Sequence, residues 1–246
     1  MKDFLGGSML KIEYKNNTIT ELWNEYANKR NCGLKKEANK LLDNLIKYIS
    51  ALDYKERAEF VSYLCNLKFE QYIDITFQQP LISKIIFPLL VDSIENKEMP
   101  QLRWLYQLNF HDLNFIEVME SKMGYYSPGS LLKMANQIMP SDLKTAGLLL
   151  EHYFYSFWYG SHHMPDFVLI EEKEVEHIKG EIESLLRQYK NSGVITNEIL
   201  NDYRYYTELY NDWFNFHRAK QDITFIEWCN RENKQYSWVR AYYYDK

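Results

Sequence analysis

The chain has 246 residues, 46% of them apolar, and a net charge of −5. A chain this long can bury a sizeable core without disulfide or metal staples. Its negative balance argues against sequence-independent binding to nucleic acid or an anionic membrane, which depends on basic residues releasing phosphate counterions.

Residues 9 to 15 alternate apolar and polar, which predicts a short strand or an extended arm. Thr18 to Arg30 reads as a helix, with Thr18 and Glu21 spaced as a capping box and Ile19, Leu22, Trp23 and Tyr26 on one face. The next helix, Leu34 to Leu52, carries a core stripe of Leu34, Ala38, Leu41, Leu42, Leu45, Ile46 and Ile49. Asp53 and Glu56 open a third, so residues 34 to 67 read as an antiparallel helical hairpin. Phe69 to Gln79 fits a strand by the alternation of Ile73, Ile75 and Phe77, and a helix by the spacing of Phe69, Tyr72, Ile73 and Phe77. Its neighbours favour the helix. Pro88 must kink or divide the apolar segment that starts at Pro80, because it lacks an N–H and clashes with the preceding turn. Short helices come after Pro100 and after Asp112, the second closed by Gly124.

Tyr125 to Ser130 combines proline and glycine, with Ser130 as a cap for the next helix, and is the best place for a hinge. The chain then divides into an N-terminal helical lobe over 1–124 and a C-terminal helical lobe over 130–246, or remains one continuous domain. Met-Pro recurs at 99–100, 139–140 and 164–165, and the first 40-residue interval suits a helical-hairpin repeat, although little else repeats with it.

Ser141 to Ile170 is the densest apolar and aromatic stretch. Residues 146 to 159 are apolar almost all round, which predicts a central helix buried on most sides. It runs out at Gly160 into Ser161, His162, His163, Met164, Pro165 and Asp166, where two of the six histidines are adjacent and a carboxylate comes soon after. Glu171 to Tyr189 is an amphipathic helix with Val175, Ile178, Ile182, Leu185 and Leu186 inward and an acidic outer face. Thr196 caps the last long helix, whose stripe of Ile199, Leu200, Tyr203, Tyr206, Tyr210, Trp213, Phe214 and His217 reads as core. A short helix from Thr224 leads into an aromatic tail containing Trp228, Arg231, Lys234, Tyr236, Trp238, Arg240 and Tyr242 to Tyr244. That tail reads as a flap docked on the core, because its charge is close to neutral.

Motifs of catalysis are missing. Gly124 to Ser130 has the glycine spacing of a phosphate-binding loop but lacks its lysine and a preceding strand. Glu174, His177 and Glu181 share a helix face, which is half of a carboxylate-bridged metal pattern without a second copy. The three cysteines, Cys32, Cys65 and Cys229, are far apart and in no C-x-x-C pairing, so neither a disulfide framework nor a zinc knuckle is suggested. Their use fits a reducing cytoplasm. The first residues lack a secretory pattern, and no run approaches the roughly 20 apolar residues of a membrane span.

The sequence therefore predicts an all-α assembly of antiparallel helical hairpins, with a degenerate α-solenoid in two lobes as its finer form. The expected function is non-catalytic protein binding by a cytoplasmic adaptor or inhibitor whose partner is basic, such as a toxin enzyme. Aromatic anchors dominate interfaces, and 21 tyrosines and 6 tryptophans are available. The binding candidates are Trp158, Tyr159, His162, His163 and Asp166. No cofactor is implied. The alternative is a metal-dependent hydrolase in which His152, His162, His163 and Asp166 hold the ion.

Overall fold

A computed structural model describes residues 10–109, 112–220 and 222–237. Among these residues the regular structure is helical throughout, with no strand. The chain divides into two compact units, residues 1–131 and 132–246. Helix α8, Pro128–Ile138, spans the division.

In the first unit, residues 10 to 15 run extended alongside α1, Asn17–Asn31. Side chains of that helix take the place of a partner strand. Asn24 accepts from the Ile12 N–H through Oδ1 at 2.8 Å and donates to the Ile12 carbonyl at 3.0 Å, and the Trp23 indole donates to the Leu10 carbonyl at 2.9 Å. The alternating sequence is thus an arm, with Ile12 turned inward. The cap of α1 is Asn16, not Thr18: its Oδ1 accepts from the Ile19 N–H at 3.2 Å. Thr20, in the first turn, ties down the Tyr14 backbone through its hydroxyl.

Helix α2, Lys35–Ala51, packs on α1 across a tight turn at Gly33, whose positive φ of 75° suits glycine. The hairpin expected over 34–67 is therefore displaced by one helix. Leu52 and Asp53 are both extended and turn the chain away, so α3, Tyr54–Cys65, packs instead on a later apolar helix. Asp53 caps α3 as its spacing predicts, with the Glu56 N–H donating to Oδ1 at 2.8 Å. Trp23, Tyr26 and Phe60 are buried and meet edge to face at 6.1 and 6.4 Å, forming the aromatic centre of this unit.

After α3 a π-helical turn, Asn66–Glu70, widens the helix, and Tyr72 in the left-handed region (φ 55°) ends it. The helix predicted through Gln79 stops here. Residues 73 to 78 are irregular and alternate, Ile75 and Phe77 inward with Asp74 and Thr76 outward. The two-residue period describes the side chains correctly, but no strand among the described residues pairs with it. Lys68 supplies the missing partner by donating to the Ile75 carbonyl at 2.7 Å, while its ammonium lies 5.4 Å from the Phe77 ring centre.

Pro80 and Pro88 fall near the starts of α4, Gln79–Leu81, and α5, Phe87–Asn96. A second π-helical turn, Ile82–Ile86, joins them, so Pro88 divides the segment without breaking its apolar face. Leu81, Ile85, Ile86, Phe87, Leu90, Val91 and Ile94 stay buried. Helix α6, Gln101–Gln107, packs on α5. Helix α7, Leu113–Met123, is capped by Asp112, closed by Gly124 at φ 72°, and joined to α5 by Phe115 stacking on Phe87 at 4.1 Å. Ser127 caps α8 in place of Ser130. The two residues exchange hydrogen bonds, each backbone N–H donating to the other's hydroxyl at 3.0 and 3.1 Å.

The second unit is built on three mutually packed helices: α9, Leu143–Ser161; α10, Glu172–Gln188; and α11, Asn197–Arg218. The short α12, Phe225–Arg231, packs on α11 and starts with a capping box between Thr224 and Glu227. Val175, Ile178, Ile182 and Leu185 face the core as their spacing predicts, and Thr196 caps α11. The stripe of α11 is core only in its later half, where Leu209, Tyr210, Trp213 and Phe216 are buried; Leu200 is 40% exposed. Trp213, Phe216, Phe225 and Trp228 form a second aromatic cluster, with Phe225 and Trp228 stacked at 5.6 Å. The tail is held on α11 as far as Ser237: Lys234 and Tyr236 both reach Asp212, and the Ser237 N–H donates to the Tyr205 hydroxyl at 3.2 Å. Trp238, Arg240 and Tyr242 to Tyr244 lie outside the described residues.

The hairpins and packed helices bear out the all-α class, while no solenoid stacking is seen among the described residues. No helix among the described residues is long and apolar enough to cross a membrane. Cys65 and Cys229 are buried and Cys32 is exposed, all three as free thiols.

Candidate functional site

Helix α9 is buried on one side only. Its sequence predicts burial almost all round, and Ala146, Leu149, Leu150, Tyr153, Phe157 and Gly160 do face the core. Tyr155, Trp158 and Tyr159 instead face outward, at 59%, 45% and 52% exposure. The reason is the number of neighbours: α10 and α11 cover one side between them, and nothing described in this unit covers the other. Tyr155, Trp158, Tyr159 and His162 fall at i, i+3, i+4 and i+7, so one face of the helix carries all four rings.

The rings continue past the helix end. Trp158 stacks on His162 at 5.6 Å, Tyr159 lies 5.1 Å from His162, His162 lies 4.1 Å from His163, and His163 stacks on Phe167 at 4.6 Å. Tyr155 touches both Trp158 and Tyr159. The result is an unbroken aromatic ridge from Tyr155 to Phe167, half of it on a helix and half on a loop. Phe167 and Leu169 add exposed apolar surface at its far end.

The loop is held at several points. The Met164 N–H donates to the Ser161 carbonyl at 2.9 Å, the Asp166 N–H to the His163 carbonyl at 3.0 Å, and the Leu169 N–H returns to the Gly160 carbonyl at 2.9 Å. Met164 and Ile170 are buried beneath it. His162 Nδ1 lies 2.5 Å from the Tyr159 carbonyl, which can only accept, so this nitrogen carries the proton and Nε2 faces away from that bond. Gly160 is where the loop's base meets the core. The Tyr210 hydroxyl, which donates to the Phe157 carbonyl at 2.7 Å, and the Ile170 side chain both occupy the space a Cβ would need.

A hollow flanks the ridge on each side. Towards α10, one of about 250 Å³ is lined by His152, Tyr155, Tyr159, Leu169 and Glu174 among others. Towards α11, a groove of about 370 Å³ lies between Trp158, Ser161 and His162 on one wall and Asp202, Tyr205, Tyr206 and Leu209 on the other, with Met164 and Ser237 completing it. Burial, aided by Tyr205 and Asp202, pushes the Tyr206 phenol up to about 12. Burial and the neighbouring Glu198 raise the Asp202 carboxyl above its ordinary value. His152 is half-buried within α9, and burial lowers its pKa.

All five binding candidates lie on or beside the ridge: Trp158, Tyr159, His162 and His163 in it, and Asp166 exposed at the loop's turn. The metal alternative needs His152, His162, His163 and Asp166 to converge. No group of three or more His, Cys, Asp or Glu that could hold an ion occurs among the described residues. The rings of the adjacent histidines stack on Trp158 and Phe167.

The half-motif of Glu174, His177 and Glu181 also resolves differently. Glu181 accepts from Lys133 at 2.6 Å and from the largely buried Tyr153 hydroxyl at 3.2 Å. Burial pushes the Glu181 carboxyl up, but Lys133 and the Tyr153 hydroxyl outweigh it and hold it below its ordinary value of 4.5. A depressed folded value means that ionisation stabilises the fold above about pH 4.5 and that this contribution is lost as pH falls through the lower folded value. With Lys133 substantially exposed, the pair contributes roughly 0.5–1 kcal/mol. Glu181→Gln should therefore lower the melting temperature at pH 7, and the gap from wild type should close in acid below about pH 4. A gap unchanged with pH would exclude the ion pair as its source.

Tyr155 and Phe167 on the ridge, and Asp202, Tyr205 and Tyr206 across the groove, are functional candidates that sequence reasoning misses. The i, i+3, i+4, i+7 spacing of rings at 155 to 162 is visible in the sequence, but the same spacing marks a core face. Nothing in the α11 pattern separates its half-covered first turns from its buried last ones. Comparison with protein families, characterised proteins and solved structures finds no match for the chain.

Proposed function

We propose that the chain is a non-catalytic binding protein that docks a basic protein partner on the aromatic ridge of α9 and its exit loop. The observation that carries this reading is the contiguous exposure of Tyr155, Trp158, Tyr159 and Phe167, joined through His162 and His163. Exposed apolar surface in one piece is uncommon on a self-contained unit, and Trp and Tyr are the residues most often found at the energetic centre of an interface.

Charge supports a basic partner. Glu151, Asp166, Glu171, Glu172 and Glu174 are exposed close to the ridge in sequence, and Glu174 lines the hollow beside Tyr155 and Tyr159. Glu171 pairs with Lys173 and Glu172 with Arg218, whereas Glu151, Asp166 and Glu174 make no ion pair among the described residues. Rim carboxylates of this kind steer a cationic surface and set its orientation, while the rings supply the affinity. Such a protein acts as an adaptor or inhibitor by covering its partner.

The test is affinity capture from the source cell with wild type, a Trp158→Ala/Phe167→Ala variant, and a Tyr125→Ala control whose ring is also exposed, in the other unit. Wild type and control should retain a stoichiometric basic protein, and the ridge variant should bind it at least about 30-fold more weakly, equivalent to ~2 kcal/mol. A partner that stays on the ridge variant, or one that is acidic, would overturn the proposal.

A further inference from the structure

The groove between α9 and α11 is unlike the hollow on the other side of the ridge in one respect: its aromatic rings come from both facing helices, with a carboxylate among them. On α11, Asp202, Tyr205, Tyr206 and Leu209 fall at i, i+3, i+4 and i+7 and so share a face, while Trp158 and His162 of α9 form the opposite wall. Tyr205 and Tyr206 meet edge to face at 5.2 Å, and Tyr206 is backed by Phe157 and Phe154 at 5.7 and 6.5 Å, which fixes that wall from behind. Trp158 is braced on its own side by His162 and Tyr155.

Asp202 makes no ion pair or hydrogen bond among the described residues, whereas some carboxylates of this unit are engaged: Glu181 by Lys133, Asp212 by Lys234 and Tyr236, Glu183 by Tyr203. Glu198, one turn earlier on α11, is a like-charged neighbour that helps to raise the Asp202 carboxyl. An exposed carboxylate with a like-charged neighbour, and with no ion pair among the described residues, is open to an incoming cation.

We propose that this groove receives an arginine side chain of the basic partner, its guanidinium stacked against Trp158 and the Tyr205–Tyr206 wall with Asp202 as counter-ion. The proposal deepens the reading of the ridge as a docking surface for a basic protein and rests on it. Arginine is favoured over lysine by the shape and chemistry of the walls. A planar, weakly hydrated guanidinium stacks on ring faces and still offers N–H groups in its own plane to a carboxylate, whereas an ammonium would have to give up a tightly held water shell. The groove's volume of about 370 Å³ admits the side chain together with part of its backbone.

The experiment uses the full-length protein and two small probes, N-acetyl-arginine amide and its neutral isostere N-acetyl-citrulline amide. The Trp158 indole and Asp202 amide signals are followed by NMR during titration. The arginine probe should shift both signals saturably with a dissociation constant in the millimolar range. The citrulline probe should bind at least about 5-fold more weakly. Asp202→Asn should reduce arginine binding by about 5- to 10-fold, and Trp158→Leu should abolish the saturable shift. Both substitutions are at exposed positions, and an unchanged helical circular-dichroism spectrum shows that the fold is intact. Absence of saturation, equal shifts from citrulline, or full binding by Asp202→Asn would overturn the proposal. Failure here is separable from failure of the ridge reading: a partner lost on Trp158→Ala/Phe167→Ala but kept by Asp202→Asn leaves the ridge in place and removes the groove.

Discussion

Gly160→Ala is expected to destabilise the second unit by about 2–3 kcal/mol, although alanine is the better helix former. Two effects oppose each other. Replacing a helical glycine by alanine ordinarily gains up to ~1 kcal/mol by restricting the unfolded chain. At Gly160 the added methyl meets the Tyr210 hydroxyl and the Ile170 side chain at distances closer than a Cβ packs. Tyr210 is fully buried and its hydroxyl donates to the Phe157 carbonyl at 2.7 Å, so moving it aside strains the core and loosens a buried hydrogen bond. Overpacking of this kind amounts to roughly 1–3 kcal/mol and a buried unsatisfied hydroxyl to a further ~1–3 kcal/mol, so the steric term wins. Gly147, on the same helix with open space around it, is the internal control. Gly147→Ala should be neutral or stabilising by up to ~1 kcal/mol. Chemical denaturation of both variants decides the matter, and equal effects at the two positions would show that Tyr210 and Ile170 do not crowd Gly160.

The largest effect expected in the first unit arises at Glu70, at the end of its π-helical turn. Its Oε1 accepts from the Arg103 guanidinium at 2.8 Å and from the Trp104 indole at 2.6 Å. Arg103 is only 3% exposed and Trp104 4%. Glu70→Ala takes the shared acceptor from two buried donors, one of them charged, and such a break in a buried pair is worth about 3–5 kcal/mol. Glu70→Gln keeps an acceptor and loses the charge, so it should fall between wild type and Glu70→Ala. Urea midpoints for the three proteins test this order. If Glu70→Ala unfolds at the wild-type midpoint, Arg103 is satisfied without Glu70 and the turn has no such role.

Most of the helices are legible in the sequence because their signals are local. Asp53, Thr196 and Thr224 each stand immediately before an apolar face, and all three cap the helix their spacing predicts. Asn16 and Ser127 take the caps expected of Thr18 and Ser130, since capping chemistry is shared by neighbouring Asn, Ser and Thr residues and the backbone decides among them. The stretch from Tyr72 to Gln78 departs from the expected helix for a different reason. Its alternation is real, but Lys68 and the core satisfy an extended segment that has no sheet. Which helices pack together is not legible at all: the pairing of α1 with α2 rather than α2 with α3 depends on two extended residues, Leu52 and Asp53.

The candidate site is half legible. The histidine pair and Asp166 stand out as residue types, and Trp158 and Tyr159 as large rings beside them. Their exposure is hidden, because a tyrosine and tryptophan face reads the same whether a neighbouring helix covers it or solvent does. Asp202 carries no signal: an acid on a polar helix is ordinary until the fold places aromatic rings across from it.

The return of the Leu169 N–H to the Gly160 carbonyl makes the segment between them a short closed ring rather than a free span. Its backbone has already given up most of its conformational choice before anything arrives, and the stacked imidazoles have few rotamers left to surrender. Whatever settles on that surface meets a shape that is finished in advance, so its affinity is not eroded by an ordering penalty on this side of the contact.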